Sequence, residues 1–295
     1  MEYTYRKLFK DEEHENEFSS NGYFISKNVL SNSIIDDLQF YFDELFKDVK
    51  LQKGFSTPFD YYDISKRFEI HNFILSKLNF LIEQLCIDCE VYLSNYMIKT
   101  PEKQLYIDIH QDWSYVDETK YRSFNIWIPL ENTTIENGAM VVVPKSHFKN
   151  IPTYRTPILP LYFNQQKNVI YDYLKPVLLN KKDIVVFDNS IIHGASTNNT
   201  FNNRVAVVLC LKPKEVKLQF LYPNKENQFL QAYQQKNDFI FYFKNYLVDI
   251  KHASIQGEKI GEINLNEIVQ ELNEDEIINL FKSVEIQRNN LYLKY

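Results

Sequence analysis

Glycine is scarce in this chain, with six residues in 295, and so is cysteine, with three. So few glycines exclude a chain organised around flexible hinges. An odd, small number of cysteines excludes a disulfide framework. No run of 18 apolar residues occurs, and the longest candidates, such as IIDDLQFYFDELF, are interrupted by charge, so a membrane-spanning helix is excluded. The start, MEYTYRKLFKDEEHE, has no apolar stretch suited to a secretory signal, and with the few cysteines this leads us to expect a reducing, cytoplasmic setting. A basic excess is missing too: 33 Lys and Arg stand against 39 Asp and Glu, a net charge of -6, with the lysines scattered. Phosphate backbones are bound through basic patches, so nucleic acid is not the expected partner and a small-molecule substrate is.

Aromatic residues are abundant, 21 Tyr and 22 Phe, in an otherwise ordinary globular composition of 44% hydrophobic and 24% charged residues. A single unit of this size buries roughly 75% of the surface of its unfolded chain, enough for a rigid, layered core. From Ser31 to about Lys50, apolar residues recur at three- and four-residue steps behind capping serines, and a second such pattern runs from about Lys66 to Cys86; both predict helices. After Glu90 the character changes to short β-rich runs separated by Pro, Gly and Asn turns: VYLSNYMI, QLYIDIHQDW, SFNIWIPL, AMVVVP, DIVVFDN and RVAVVLCL. Strands at this spacing without intervening helices predict an antiparallel jelly roll rather than a parallel α/β sheet. Residues 151–175, rich in Pro and Tyr, read as a long loop, and helix-like stretches are expected near Asn227–Phe243 and over Glu274–Ser283. The expected organisation is one domain over residues 1–295: helical support over 1–90, a jelly-roll core over 91–215 and a C-terminal extension over 216–295. The acidic stretch DEEHENE near the start reads as solvated.

The strongest chemical signal is His110-Gln111-Asp112. Residues two apart on a strand share a face, so His110 and Asp112 can hold one metal together. His193, at the end of an apolar run and just before Gly194, is the natural third ligand. Two histidines and a carboxylate leave three octahedral positions open, as in non-haem Fe(II) oxygenases. Arg204 opens the run RVAVVLCLK; a hairpin through GASTNNTFNN sets it near the metal, where a guanidinium can take a carboxylate with two bonds. In SFNIWIPL, Phe124, Ile126, Ile128 and Leu130 share one face and Asn125 and Trp127 the other, which is suited to lining a cavity.

Three ordered blocks, His110-Gln111-Asp112-Trp113, then NIWIPLENTTIENGAMVVVPKSH, then DIVVFDNSIIHGASTNNTFNNR, resemble the phytanoyl-CoA dioxygenase family of Fe(II)- and 2-oxoglutarate-dependent oxygenases. The resemblance covers roughly Tyr92 to Lys212. It implies a cupin-like double-stranded β-helix that is mainly β with flanking helices. It also implies Fe(II) on His110, Asp112 and His193, and 2-oxoglutarate with its distal carboxylate on Arg204. Trp127, Gln111 and Tyr96 match further cosubstrate positions of the family. The implied chemistry uses O2, with ascorbate as a reductant, and couples decarboxylation to succinate and CO2 with hydroxylation of a C–H bond. The substrate class is a small metabolite or a carrier- or CoA-linked group. Because halogenating relatives replace the carboxylate ligand with a small residue, Asp112 points to hydroxylation; a desaturase or ring-forming outcome would use the same residues. This chain departs from the family pattern at Ala195, where many members have serine; Ser196 follows.

Two other readings stand beside it, a non-catalytic jelly-roll binding domain and a cupin-type enzyme using another metal. The complete set His110, Asp112, His193 and Arg204 speaks against the first, and the arginine against the second. Tyr154, Arg155, Tyr162 and Tyr171 are candidate substrate contacts by position. Cys86 and Cys89 read as packing residues, and His147 as structural.

Overall fold

Side-chain caps decide where the helices start. Asp11, Ser31 and Asp63 each turn an oxygen onto a first-turn N–H and open α1 (Glu12–Asn21), α2 (Asn32–Phe46) and α3 (Ile64–Leu85). Each such cap contributes about 1 kcal/mol. The computed structural model describes residues 5–102, 107–147, 154–156, 159–224, 228–242, 257–267 and 271–289. In it α2 and α3 lie where the periodicity placed them. The acidic stretch DEEHENE is solvated as expected, with most of its residues exposed, and it also opens α1: Glu12, Glu13 and Glu15 sit in the first turn, where the helix dipole favours them, while Phe18 of the same helix is buried.

Ten strands follow in chain order before the C-terminal region: β1 (Tyr23–Ser26), β2 (Phe55–Ser56), β3 (Cys89–Lys99), β4 (Ile107–His110), β5 (Phe124–Pro129), β6 (Met140–Val142), β7 (Lys175–Val177), β8 (Ile184–Asp188), β9 (His193–Ala195) and β10 (Arg204–Pro213). They form two antiparallel sheets, β1-β8-β5-β10-β3-β2 and β4-β9-β6-β7. The sheets face each other: Trp127, Val185, Phe187 and Val208 of the first pack with Met140, Val142 and Val177 of the second. This is the double-stranded β-helix that the sequence predicts. Sequence reading had not seen β1 and β2, which extend the larger sheet at both edges.

Alternation along the strands sends the other set of side chains to the helices. Phe124, Ile126, Ile128, Tyr96, Ile98, Val205, Val207 and Leu209 form one cluster with Phe18, Ile35, Leu38, Phe42, Ile74 and Leu78. At its centre the Phe9 ring meets Phe18 and Phe24 at 4.9 Å and Phe124 at 5.2 Å, edge to face. Burial of one such phenylalanine stabilises the fold by roughly 1.5–3 kcal/mol.

The described part of 151–175 is not all loop. A 3-10 turn at Asn164–Gln166 leads into α4 (Lys167–Tyr171), whose Val169 and Ile170 pack with Ile277 and Phe281 of the last helix, α5 (Glu274–Ser283). Helix α5 occupies its expected residues, but the helix expected near 227–243 does not form. Residues Phe229–Gln235 form a strand instead, β12, between β11 (Leu218–Pro223) and β13 (Lys259–Asn264), followed by a 3-10 turn at Phe239–Tyr242. Pairing on both edges and burial of Leu230 and Ala232 against Leu221 decide the outcome over local propensity. Residues Asn227 and Phe243 lie outside the described residues.

Candidate active site

His110 ends β4 and His193 begins β9, and the two are directly opposed across that strand pair, their rings 4.3 Å apart. Gly194 is what lets the strands close: a Cβ there would lie 2.7 Å from the carbonyl oxygen of Ile107. Both imidazoles present their Nδ1 to a backbone carbonyl, His110 to Asp108 at 2.8 Å and His193 to Ile191 at 3.0 Å. A carbonyl accepts only, so Nδ1 carries the proton and Nε2 keeps a free lone pair. Burial, then the neighbouring His110, lowers the pKa of His193 to about 4, which keeps it neutral near pH 7. Asp112 follows just beyond the end of β4, its Oδ1 lying 3.8 Å from His110 Nε2 and 3.9 Å from His193 Nε2. One ligand atom from each of the three lies within 4.8 Å of the others. Two imidazoles and a carboxylate at this spacing fit a single divalent ion bonded at about 2.0–2.2 Å.

Asp112 is fixed from several sides. Its N–H donates to Asn189 O at 2.9 Å, and its carbonyl accepts from Arg155 Nε at 2.6 Å. Its Oδ2 accepts from Asn125 Nδ2 at 2.6 Å. Gln111 turns its amide to the carbonyl of Ser190. Arg155 is buried and also pairs with Glu118, so it is not a substrate contact; it braces the segment that carries His110 and Asp112. Behind His193, Arg122 and Asp188 form a buried ion pair at 2.6 Å. Burial opposes the Asp188 carboxylate, but Arg122, His147 and Ser190 together hold its pKa below the usual value.

These groups open onto a cavity of about 670 Å³ whose lining includes Tyr92, Trp113, Tyr115, Met140, Phe187 and Val208 together with Gln111, Trp127 and Arg204. Arg204 is 2% exposed, and its guanidinium carbon lies 5.0 Å above the Trp127 ring. Among the described residues nothing hydrogen-bonds or ion-pairs with it, and its Nε is buried without a partner. Burial lowers its pKa to about 10, so it stays charged at neutral pH, with Glu131 acting on it only through space. A buried cation without a counter-ion is unfavourable, and a bound carboxylate is the group that would relieve it. The other lining cation, Lys167, is already paired with Asp108, which Tyr171 also contacts. Asp108 is thereby occupied away from the metal ligands.

Four expectations change. Tyr96 faces the other way: it is fully buried under the helices, and its hydroxyl donates to Leu38 O at 2.8 Å. Its neighbour Met97 lines the cavity instead, because adjacent strand residues point to opposite faces. The hairpin expected between His193 and Arg204 is absent, since β9 and β10 belong to opposite sheets. The intervening loop crosses between them, held by Asn198 bonds to Lys99 O and Asn202 O. At the departure from the family pattern, Ser196 turns its hydroxyl to Ile135 O and Ala139 O. Tyr162 packs with α4 and α5 rather than in the cavity lining, while Tyr154 lies against Leu221 and Leu230. His147 is structural as expected, its ring packed over Gly22 and its Nε2 3.2 Å from Ser19 O.

Sequence reading missed two residues. Asn125 was placed on the cavity face but not in contact with Asp112. Lys99 was not noticed, although it stands opposite Arg204 in the β3–β10 register and is 1% exposed; burial, then Arg204, lowers its pKa to about 7. The signal for Lys99 was its place two residues after Met97 on the same face of β3.

The family model for phytanoyl-CoA dioxygenase (PhyH) matches residues 18–206. A phytanoyl-CoA dioxygenase domain-containing protein 1 homolog of Dictyostelium discoideum is 27% identical over 121 residues, 39% of this chain and 43% of that protein. The match thus spans less than half of that relative's length. Among solved structures, the non-haem α-ketoglutarate-dependent carbocyclase SnoK from nogalamycin biosynthesis superposes with a TM-score of 0.50 at 16% identity, over 70% of this chain and 86% of its own. The epimerase SnoN, in complex with Fe3+, α-ketoglutarate and nogalamycin RO, gives 0.51 at 14% identity, over 90% and 96%. At these identities the likeness is one of fold. Among the described residues no helix is long and apolar enough to cross a membrane.

Proposed function

The chain belongs to the phytanoyl-CoA dioxygenase family, and from that premise we propose that it is an Fe(II)- and 2-oxoglutarate-dependent dioxygenase that hydroxylates a C–H bond of a small metabolite or a carrier- or CoA-linked group. The observation that carries the proposal is the unpartnered guanidinium of Arg204, buried in the same cavity as the His110, Asp112 and His193 cluster. A metal cluster alone suits many enzymes. A cluster with a lone buried cation in one apolar chamber suits an anionic cosubstrate that also chelates the metal.

In this reading His110, Asp112 and His193 hold Fe(II), and Arg204 takes the distal carboxylate of 2-oxoglutarate with Trp127 packed beneath it. Gln111 holds the turn between the first two ligands. When bound, iron, 2-oxoglutarate and O2 supply the oxidising power, with release of succinate and CO2 and with ascorbate serving to keep iron reduced. The apolar walls, including Tyr92, Trp113, Tyr115 and Phe187, exclude water and seat an uncharged part of the substrate. No charged side chain lining the cavity is left over for an ionic substrate group at the reacting end, since Lys167 and Asp108 are paired. The carboxylate of Asp112 occupies the place a halide would need, which favours hydroxylation. We take the chain as one oxygenase unit acting in the cytoplasm.

The test is an anaerobic titration with Fe(II) and 2-oxoglutarate, following the visible charge-transfer band of a chelated oxoacid. A saturable band is expected. Its absence from folded, iron-loaded protein would sink the cosubstrate assignment.

A further inference from the structure

The two oxygens of Asp112 have different surroundings. Oδ1 faces the Nε2 atoms of both histidines, whereas Oδ2 accepts the 2.6 Å hydrogen bond from Asn125. Asn125 is 4% exposed, and its own Oδ1 has no partner. A buried amide ordinarily satisfies both its ends. Here the hydrogen bond to Asp112 is the one its side chain makes among the described residues. The acceptor is a carboxylate, which has no proton to give, so the amide orientation is fixed with nitrogen toward Asp112.

The Asp112 backbone is already held at both ends, by Asn189 O and by Arg155 Nε. What remains free is rotation of its carboxylate. We propose that Asn125 is a positioning residue that removes this freedom and keeps Asp112 a one-oxygen ligand, with Oδ1 on the metal and Oδ2 withheld from it. The inference rests on the metal reading of His110, Asp112 and His193 given above. Its consequence is numerical. Two imidazoles and one carboxylate oxygen leave three of six octahedral positions. A carboxylate binding through both oxygens leaves two, which a chelating oxoacid fills, with none for a diatomic gas. Asn125 thus reserves the gas position without touching it. A one-residue shift in β5 would put an apolar side chain there, because Phe124 and Ile126 point the other way, into the helix-covered core.

Asn125→Leu keeps the branched shape and removes the donor, and Asn125→Ala covers the case in which the larger leucine fails to fold; thermal melting identifies the folded variant. The full-length protein is loaded anaerobically with Fe(II), with and without 2-oxoglutarate, and titrated with nitric oxide as the diatomic probe, read by electron paramagnetic resonance. In the variant, iron affinity should hold or tighten, while nitric oxide affinity in the oxoacid-loaded state should fall at least tenfold and in the oxoacid-free state change little. Wild-type nitric oxide affinity in a folded variant of equal iron content would overturn the proposal. So would loss of iron, which would make Asn125 necessary for holding the ion rather than for withholding an oxygen. Unsubstituted protein that binds no iron would overturn the site reading and this proposal together. If it binds iron but shows no oxoacid band, only the cosubstrate assignment fails. Asn125 is then read from nitric oxide on iron alone, where a variant that binds fewer nitric oxide molecules per iron supports it and an unchanged count overturns it.

Discussion

On β5 successive side chains enter two different environments. Phe124, Ile126 and Ile128 join the helix-covered core, while Trp127 and Asn125 enter the cavity. The same division holds for β3, where Tyr96 and Ile98 face the helices and Met97 faces the cavity. The helix-side face is nearly closed: apolar residues meet apolar residues, the Tyr96 hydroxyl finds Leu38 O, and Ser56 Oγ, opposite Ile98, is buried without a partner. The cavity-side face leaves more groups unpaired, with Arg204 Nε and Asn125 Oδ1 on this sheet, like Gln111 Oε1 beyond β4 of the facing one, buried without partners. Stability and chemistry are therefore carried on opposite sides of one sheet, with a register of one residue between them.

Substitutions can break or sharpen that contrast. The largest effect belongs to the metal ligands. His110→Ala or His193→Ala should abolish stoichiometric iron binding while melting close to the parent, and metal analysis after desalting reads this directly; retained iron in either variant would refute the cluster. Next comes Arg204→Met, for which 2-oxoglutarate affinity should weaken by about a hundredfold, since a charge-assisted carboxylate contact of about 1.5–3 kcal/mol is lost. Iron should be retained, and isothermal titration of the iron-loaded protein separates the two.

The other face should respond in the opposite sense. Phe124→Ala is expected to destabilise the fold by about 3–5 kcal/mol, and Tyr96→Phe by about 1 kcal/mol, with oxoacid affinity unchanged in Tyr96→Phe. A changed affinity there would return Tyr96 to the cosubstrate site. The last effect is one of pH. His71 of α3 bonds Ser94 through Nδ1, and burial lowers its pKa to about 4 from 6.5. The unfolded chain then binds a proton that the folded one does not between these values, so the stability this residue contributes is complete above pH 6.5 and declines as pH falls toward 4. Urea unfolding of His71→Asn should show a flatter slope over that window than the parent, and equal slopes would dismiss the residue as its source.

Much of this was legible in the sequence because it rests on local rules. Caps and three-to-four spacing located α2, α3 and α5, and alternation in SFNIWIPL sorted its residues onto the correct faces. The sequence singled out His110, Asp112 and His193, which the fold brings within 4.8 Å of one another as a group that could hold a metal ion. What failed depended on contacts between distant segments. Nothing local in GASTNNTFNN says that the chain changes sheet, and nothing local in FLQAYQQ says that two partners will draw it into a strand. Tyr96 was misplaced by a single position in register, the smallest error a strand allows and one that reverses its face. Arg155 lies between segments with no period of its own, and its anchor at Asp112 is 43 positions away.

The crossing loop has a metric consequence. His193 stands on one wall and Arg204 on the opposite one, and facing sheets pack about 10 Å apart. The separation of imidazole and guanidinium is therefore governed by the side chains filling the sandwich rather than by the loop that joins the two strands. On the proposed assignment, a dicarboxylic acid held between the two would be measured as by a calliper whose jaws are sheets. Its tolerance for an added or missing methylene is as narrow as the packing of Met140, Val142, Phe187 and Val208 is rigid.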